Sequence, residues 1–117
     1  MTEPTTKPRR VGSEDELDAL FDAHPTVLVE FYTEGCGICA SMEPVLGVVA
    51  RETDVPVVLA NPRDDPPLIE RFDVRSVPTL VLVDDGVEVA RLAEGFVGAD
   101  DVVAFVERHR GRPDATD

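Results

Sequence analysis

Cys36 and Cys39 are the two cysteines of this chain, and they stand three apart in the stretch Gly35-Cys36-Gly37-Ile38-Cys39. Three kinds of chemistry place sulfurs this way. Buried structural thiols need no particular spacing and rarely lie next to glycine where an apolar run ends. A zinc half-site needs two further ligands, and the only histidines, His24 and His109, are remote in sequence and have the look of helix-end residues. A redox dithiol needs two sulfurs able to close a small ring, the first of them at a helix N-terminus whose free N–H groups favour the thiolate. The setting favours the redox dithiol, and no metal or other cofactor is expected.

That setting is a strand leading into a helix. Residues 27–32 (VLVEFY) form an apolar and aromatic run interrupted only by Glu30, as suits a central strand buried on both faces. After Cys36, the residues Met42, Val45, Leu46 and Val49 fall at the i, i+3, i+4, i+7 positions of one helix face, and Pro44 is expected to kink that helix. Glu30 then becomes the second residue of chemical interest. A carboxylate in a buried strand costs several kcal/mol unless it is paired or protonated. The alternative is a strand register that leaves Glu30 partly exposed at an end of the sheet.

The remaining elements supply a frame. Ser13 with Glu16 three residues later is a capping-box signature, and Leu17, Leu20 and Phe21 follow at helical spacing as far as Pro25. Residues 55–60 (VPVVLA) read as a second buried strand. Asp64-Asp65-Pro66-Pro67 reads as an acidic cap with prolines in the first turn of a short helix to about residue 72. Residues 79–83 and 87–92 flank Asp84-Asp85-Gly86, a hairpin signal. A last helix over 99–110 gathers Val102, Val103, Phe105 and Val106, with Asp100 and Asp101 at its positive end and Arg108 and Arg110 at its negative end. Helices between the early strands imply parallel crossovers, and the late hairpin implies an antiparallel pair. The expected fold class is α/β, a mixed sheet covered by helices.

Bulk properties narrow the function. A chain of 117 residues supports one hydrophobic core, expected over residues 12–110, with flexible polar ends at 1–11 and 111–117. Twenty-four acidic residues against 11 basic ones give a formal net charge of −13, and Lys7 is the only lysine. Phosphate binding needs clustered cations, so nucleic acid is not an expected partner. The acids are spread along the chain, which fits a solvated surface adapted to a high-salt, halophilic cytoplasm better than a patch selecting a basic partner. No apolar stretch approaches the roughly 20 residues that span a bilayer. The start of the chain lacks the apolar core of an export signal, so no membrane association and a cytoplasmic location are expected.

The order of elements, VLVEFYTEGCGIC, the Ser76-Val77-Pro78-Thr79 segment and the later hairpin and helix together resemble thioredoxin, over nearly all of residues 13–110. The resemblance implies a thioredoxin fold, with a central mixed sheet of four or five strands flanked by helices on both faces. It implies a thiol-disulfide oxidoreductase in which Cys36 attacks a substrate disulfide, Cys39 resolves the mixed disulfide, and a Cys36–Cys39 disulfide results. Pro78 matches the family's cis-proline, which leaves the Val77 backbone free to pair with an extended substrate. Glu30 falls where the family has a buried acid that assists proton transfer at the resolving thiol. Gly35, Gly37, Ile38 and Gly95 would complete the substrate-facing surface. The implied partners are disulfide-containing proteins and a thioredoxin-reductase-like electron donor, serving a monomer in redox homeostasis.

Three positions depart from the family pattern. Gly35 replaces the usual Trp in a chain with no Trp, Gly37-Ile38 replaces the usual Gly-Pro, and Leu59 stands where a lysine would face the buried acid. These changes leave the dithiol chemistry and alter the substrate surface and redox poise. An oxidase or isomerase would need an oxidising compartment. A redox-responsive binding module with little turnover is the alternative from another class.

Overall fold

In the computed structural model, which describes residues 7–110, the chain runs β1 (Arg9–Val11), α1 (Glu14–Ala23), β2 (Thr26–Phe31), α2 (Gly37–Thr53), β3 (Val57–Ala60), α3 (Pro67–Phe72), β4 (Thr79–Asp84), β5 (Val87–Leu92) and α4 (Ala99–His109). The strands form one sheet in the order β1-β3-β2-β4-β5. β3 is parallel to both β1 and β2, whereas β4 is antiparallel to β2 and to β5. The mixed sheet expected from crossovers and hairpin is therefore present, with β2 at its centre.

Side-chain alternation explains why β2 is apolar almost throughout. Val27, Val29 and Phe31 point to one face, where Leu17 and Phe21 of α1 and Leu68 and Phe72 of α3 close over them. Leu28 points to the other face, against Met42, Leu46 and Val49 of α2 and Val102, Phe105 and Val106 of α4. Each face of a central strand thus meets a helical layer, and neither has room for a polar alternation. Glu30 shares the Leu28 face. It is 1% exposed, so the alternative of an exposed strand end does not hold.

Two local expectations are corrected. Arg9–Val11, assigned to a flexible end, is β1, pairing in parallel with Val58, Leu59 and Ala60. A three-residue strand with two arginines carries no period-two signal of its own, and its existence depends on the β3 edge it covers. Residues 1–6 and 111–117, the rest of the expected flexible ends, lie outside the described residues. Asp64 and Asp65 do not cap α3, which begins at Pro67 with Pro66 as N-cap and no side-chain capping bond. The Asp65 carboxylate instead accepts from the backbone N–H of Glu14 at 2.8 Å, closing the N-terminus of α1 beside the Ser13 hydroxyl, which accepts from Glu16 N–H at 3.1 Å. Helix α2 continues through Pro44 to Thr53 as one element.

The hairpin between β4 and β5 is tight: Asp85 and Gly86 have φ of 54° and 77°, the positive pair that a type I′ turn requires. Arg110 ends α4 and its guanidinium donates to the Thr53 carbonyl at 3.2 Å, tying together the C-terminal ends of α2 and α4. Among the described residues no helix is long and apolar enough to cross a membrane.

Candidate active site

β2 ends at Phe31 and α2 begins at Gly37, so the cysteines fall where the central strand delivers the chain to a helix N-terminus. Cys36 is the N-cap of α2, and its Sγ accepts from the Cys39 N–H at 3.1 Å. The two are joined as a disulfide with their Cα atoms 5.2 Å apart. The first turn of α2 contains no acidic residue, so nothing there offsets the positive end of the helix dipole. Cys36 is half-buried, whereas Cys39 is only 4% exposed. Cys36 is therefore the more open of the two residues, and Cys39 is covered.

The loop before the disulfide turns through Thr33, whose carbonyl accepts from Cys36 N–H at 3.3 Å. Gly35 has φ of +81°, and a Cβ added there would meet nothing within 4 Å. Backbone conformation, not space, favours glycine at this point. Gly37 and Ile38 are exposed beside the sulfurs, Ile38 at 48%.

Glu30 lies beneath this junction. One carboxyl oxygen, Oε2, is buried with no hydrogen-bond partner among the described residues. Burial raises its pKa from 4.5 to about 8, the charge of Glu43 adds to the rise, and the charge of Arg10 opposes it. Leu59 of β3 and Leu80 of β4 are its register partners, so its immediate neighbours across the sheet are aliphatic. A cavity of about 140 Å³ is bordered by Glu30, Cys36, Cys39, Tyr32, Arg10 and Glu43 among others, and so joins the carboxyl to the disulfide. That volume accommodates water.

The other expected site residues gather at the same end of the sheet. The Val77–Pro78 bond is cis, Pro78 is buried and Val77 half-buried. Thr79 pairs with Phe31, which places Pro78 at the edge where β2 leads out to the cysteines. Leu92 pairs with Leu80 at this edge, and Gly95 follows in the loop after β5 with φ of +80°. The next residues bring that loop to α2, where Val97 N–H donates to Met42 Sδ at 3.4 Å. Neighbouring Gly95 is Phe96, 56% exposed and not singled out from sequence. Arg10, Tyr32 and Glu43 escape sequence reasoning too, because no spacing in the sequence links β1, the end of β2 and α2 to one cavity. Among the described residues, no group of three or more His, Cys, Asp or Glu side chains is arranged to hold a metal.

Comparison with known proteins agrees with this geometry. The Thioredoxin family model matches residues 11–108. A thioredoxin of Chlamydia trachomatis is 34% identical over 101 residues, covering 86% of this chain and 96% of its own. A protein disulfide-isomerase of Ricinus communis is 32% identical over 116 residues, covering 94% of this chain but 23% of its own. Among solved structures, a mutant thioredoxin from Halobacterium salinarum superposes with a TM-score of 0.86 at 31% identity, covering 96% of this chain and 98% of that one. With a disulfide-bonded cysteine pair at the head of α2, the chain belongs to the thioredoxin family and is a thiol-disulfide oxidoreductase.

Proposed function

We propose that the protein is a cytoplasmic protein-disulfide reductase in which Cys36 attacks, Cys39 resolves, and Glu30 carries the proton for Cys39. The observation that carries this assignment is the asymmetry of the pair. Cys36 caps α2 and is reachable, while Cys39 is covered above a cavity that leads to a buried carboxyl. In the reduced protein the helix N-terminus favours the Cys36 thiolate. It attacks a substrate disulfide, forming a Cys36–substrate disulfide and releasing one substrate thiolate. Cys39 loses its proton to the Glu30 carboxylate through the cavity, and its sulfur attacks Cys36. The second substrate thiolate leaves, and the Cys36–Cys39 bond forms. Two electrons pass from the dithiol to the substrate. A carboxyl with a pKa of about 8 can both take and return a proton near neutral pH.

The backbone at Val77, beside Pro78, would pair with an extended substrate segment, and Gly35, Gly37, Ile38 and Gly95 would form the rim of the groove. Turnover requires disulfide-bearing substrates and a thioredoxin-reductase-like donor that returns electrons to the disulfide. The dispersed acidic surface fits a monomer working in a cytoplasm of high salt.

A second reading, a redox-responsive binding module, is favoured by the rim itself. Gly35 offers no aromatic surface, while Ile38 and Phe96 are exposed. Protein-disulfide reduction with dithiothreitol as donor separates the two. The reductase turns over many equivalents, Cys36→Ser abolishes turnover, and Cys39→Ser accumulates a mixed disulfide visible on a non-reducing gel. Fewer than one equivalent reduced, or turnover unaffected by Cys36→Ser, would overturn the reductase assignment.

A further inference from the structure

The side chain at position 59 lies between two charged residues of the sheet. Leu59 is the register partner of Glu30 on β2 and of Arg10 on β1. Register partners in a parallel sheet point to the same face, so Arg10, Leu59 and Glu30 form one row facing α2, spanning two strand spacings or about 10 Å between the outer Cα atoms. Arg10 is held in that direction from two sides. Its guanidinium meets the Glu43 carboxylate of α2 at 2.6 Å and stacks 5.4 Å from the centroid of the Tyr32 ring. Arg10, Glu30, Tyr32 and Glu43 all border the cavity that reaches Cys36 and Cys39.

The charged and titratable groups around Glu30 are Arg10 from β1, Tyr32 just past β2, Glu34 from the loop, and Glu43 with the two cysteines at the start of α2. Arg10 is the one cation among the described residues lining this cavity. We propose that Arg10 is a positioning residue of the dithiol site, anchored by Glu43 and Tyr32 so that its charge acts on the buried Glu30 carboxyl from across Leu59 and partly offsets the negative charge of Glu43. Arg10 borders the cavity from the β1 side of β3, and Leu59 between the two charged residues is buried in the dry core. The Arg10 and Glu43 side chains are 56% and 48% exposed, so this pair contributes little to folding stability. Its consequence is confined to the field at Glu30. Two opposed charges there make the proton affinity of the carboxyl depend on how each is placed: Arg10 lowers it and Glu43 raises it.

The inference rests on Glu30 as proton carrier only for its catalytic consequence, and the test keeps the two apart. The Glu30 carboxyl is titrated by carbon-detected NMR in the oxidised protein, as wild type, Arg10→Met and Arg10→Lys. Arg10→Met is expected to titrate higher by a few tenths of a unit to about one unit. Arg10→Lys stays near wild type, and the gap between the two variants closes in 1 M KCl. Met and Lys variants that titrate alike overturn the assignment. Should Arg10→Met fail to fold, Arg10→Gln, which keeps a polar side chain on the exposed edge strand, takes its place. The Glu30 titration is expected to move up in the same way, and an unmoved titration overturns the assignment. The pH profile of the resolving step is then measured in the same variants. A profile that follows the titration supports both readings, whereas a shifted titration with a fixed profile upholds Arg10 and sinks Glu30 as proton carrier.

Discussion

Glu30 and Leu59 stand opposite each other in the pairing of β2 with β3, so the buried carboxyl has an aliphatic neighbour where a cation would hold it ionised. Burial then decides its charge. The folded-state pKa, about 8, lies above the unfolded value of 4.5, so the folded protein binds the proton more tightly than the unfolded chain. The stability this confers is complete below about pH 4.5, declines as pH rises, and is lost above about pH 8. Glu30→Gln removes the titration. Denaturant unfolding of the oxidised proteins should show the variant gaining on wild type between about pH 5 and about pH 9, by on the order of a few kcal/mol. A difference that stays constant with pH would contradict the buried, raised carboxyl.

The same substitution has a kinetic consequence. Gln cannot accept a proton from Cys39, so resolution of the mixed disulfide at neutral pH should slow on the order of tenfold or more. Stopped-flow release of substrate thiol reports this step directly, and an unchanged rate would remove Glu30 from the proton path.

Much of this arrangement is legible in the chain. A strand that is apolar on both faces, one acid within it, a cysteine pair at its exit and Val-Pro-Thr ahead of a hairpin are local patterns, and each corresponds to local geometry. What escapes local reading depends on partners distant in sequence. Arg9–Val11 is a strand only because the β3 edge accepts it. Asp65 looks like the cap of the helix that follows it, yet two prolines displace that helix start and free the carboxylate for α1. The cavity that joins Arg10, Glu30 and Glu43 has no periodicity to announce it.

The Asp65 bond gives a prediction of stability alone. Its carboxylate satisfies the Glu14 N–H across 51 residues of chain. Asp65→Ala leaves that donor without its cap and should cost about 0.5–2 kcal/mol in denaturant unfolding. Disulfide-reductase turnover should not change, because Asp65 is not among the residues that border the cavity. A neutral effect on stability would mean that solvent replaces the cap at no cost.

Gly86 isolates a backbone effect. It has φ of +77°, and a Cβ there would meet nothing within 4 Å, so any penalty for Gly86→Ala comes from the left-handed conformation and not from a clash. The expected loss is about 1–2 kcal/mol. A loss near zero, read from the shift in denaturation midpoint, would place the turn in a conformation other than the type I′ described.

Salt acts on two opposed sets of charges. Screening weakens the surface ion pairs, such as Arg71 with Glu14 and Asp18 or Arg91 with Glu88, but each of these exposed pairs contributes at most about 1 kcal/mol. Against them stands the self-repulsion of 24 acids with 11 basic residues to balance them. That excess is spread along the chain, and many of its members are separated by more than the Debye length of about 3 Å that applies at 1 M. Repulsion is therefore the larger quantity removed. The melting temperature of the oxidised protein should rise as KCl is taken from about 0.1 M toward molar concentrations. A melting temperature that is flat or falls would show that the ion pairs dominate and would remove the case for a high-salt cytoplasm.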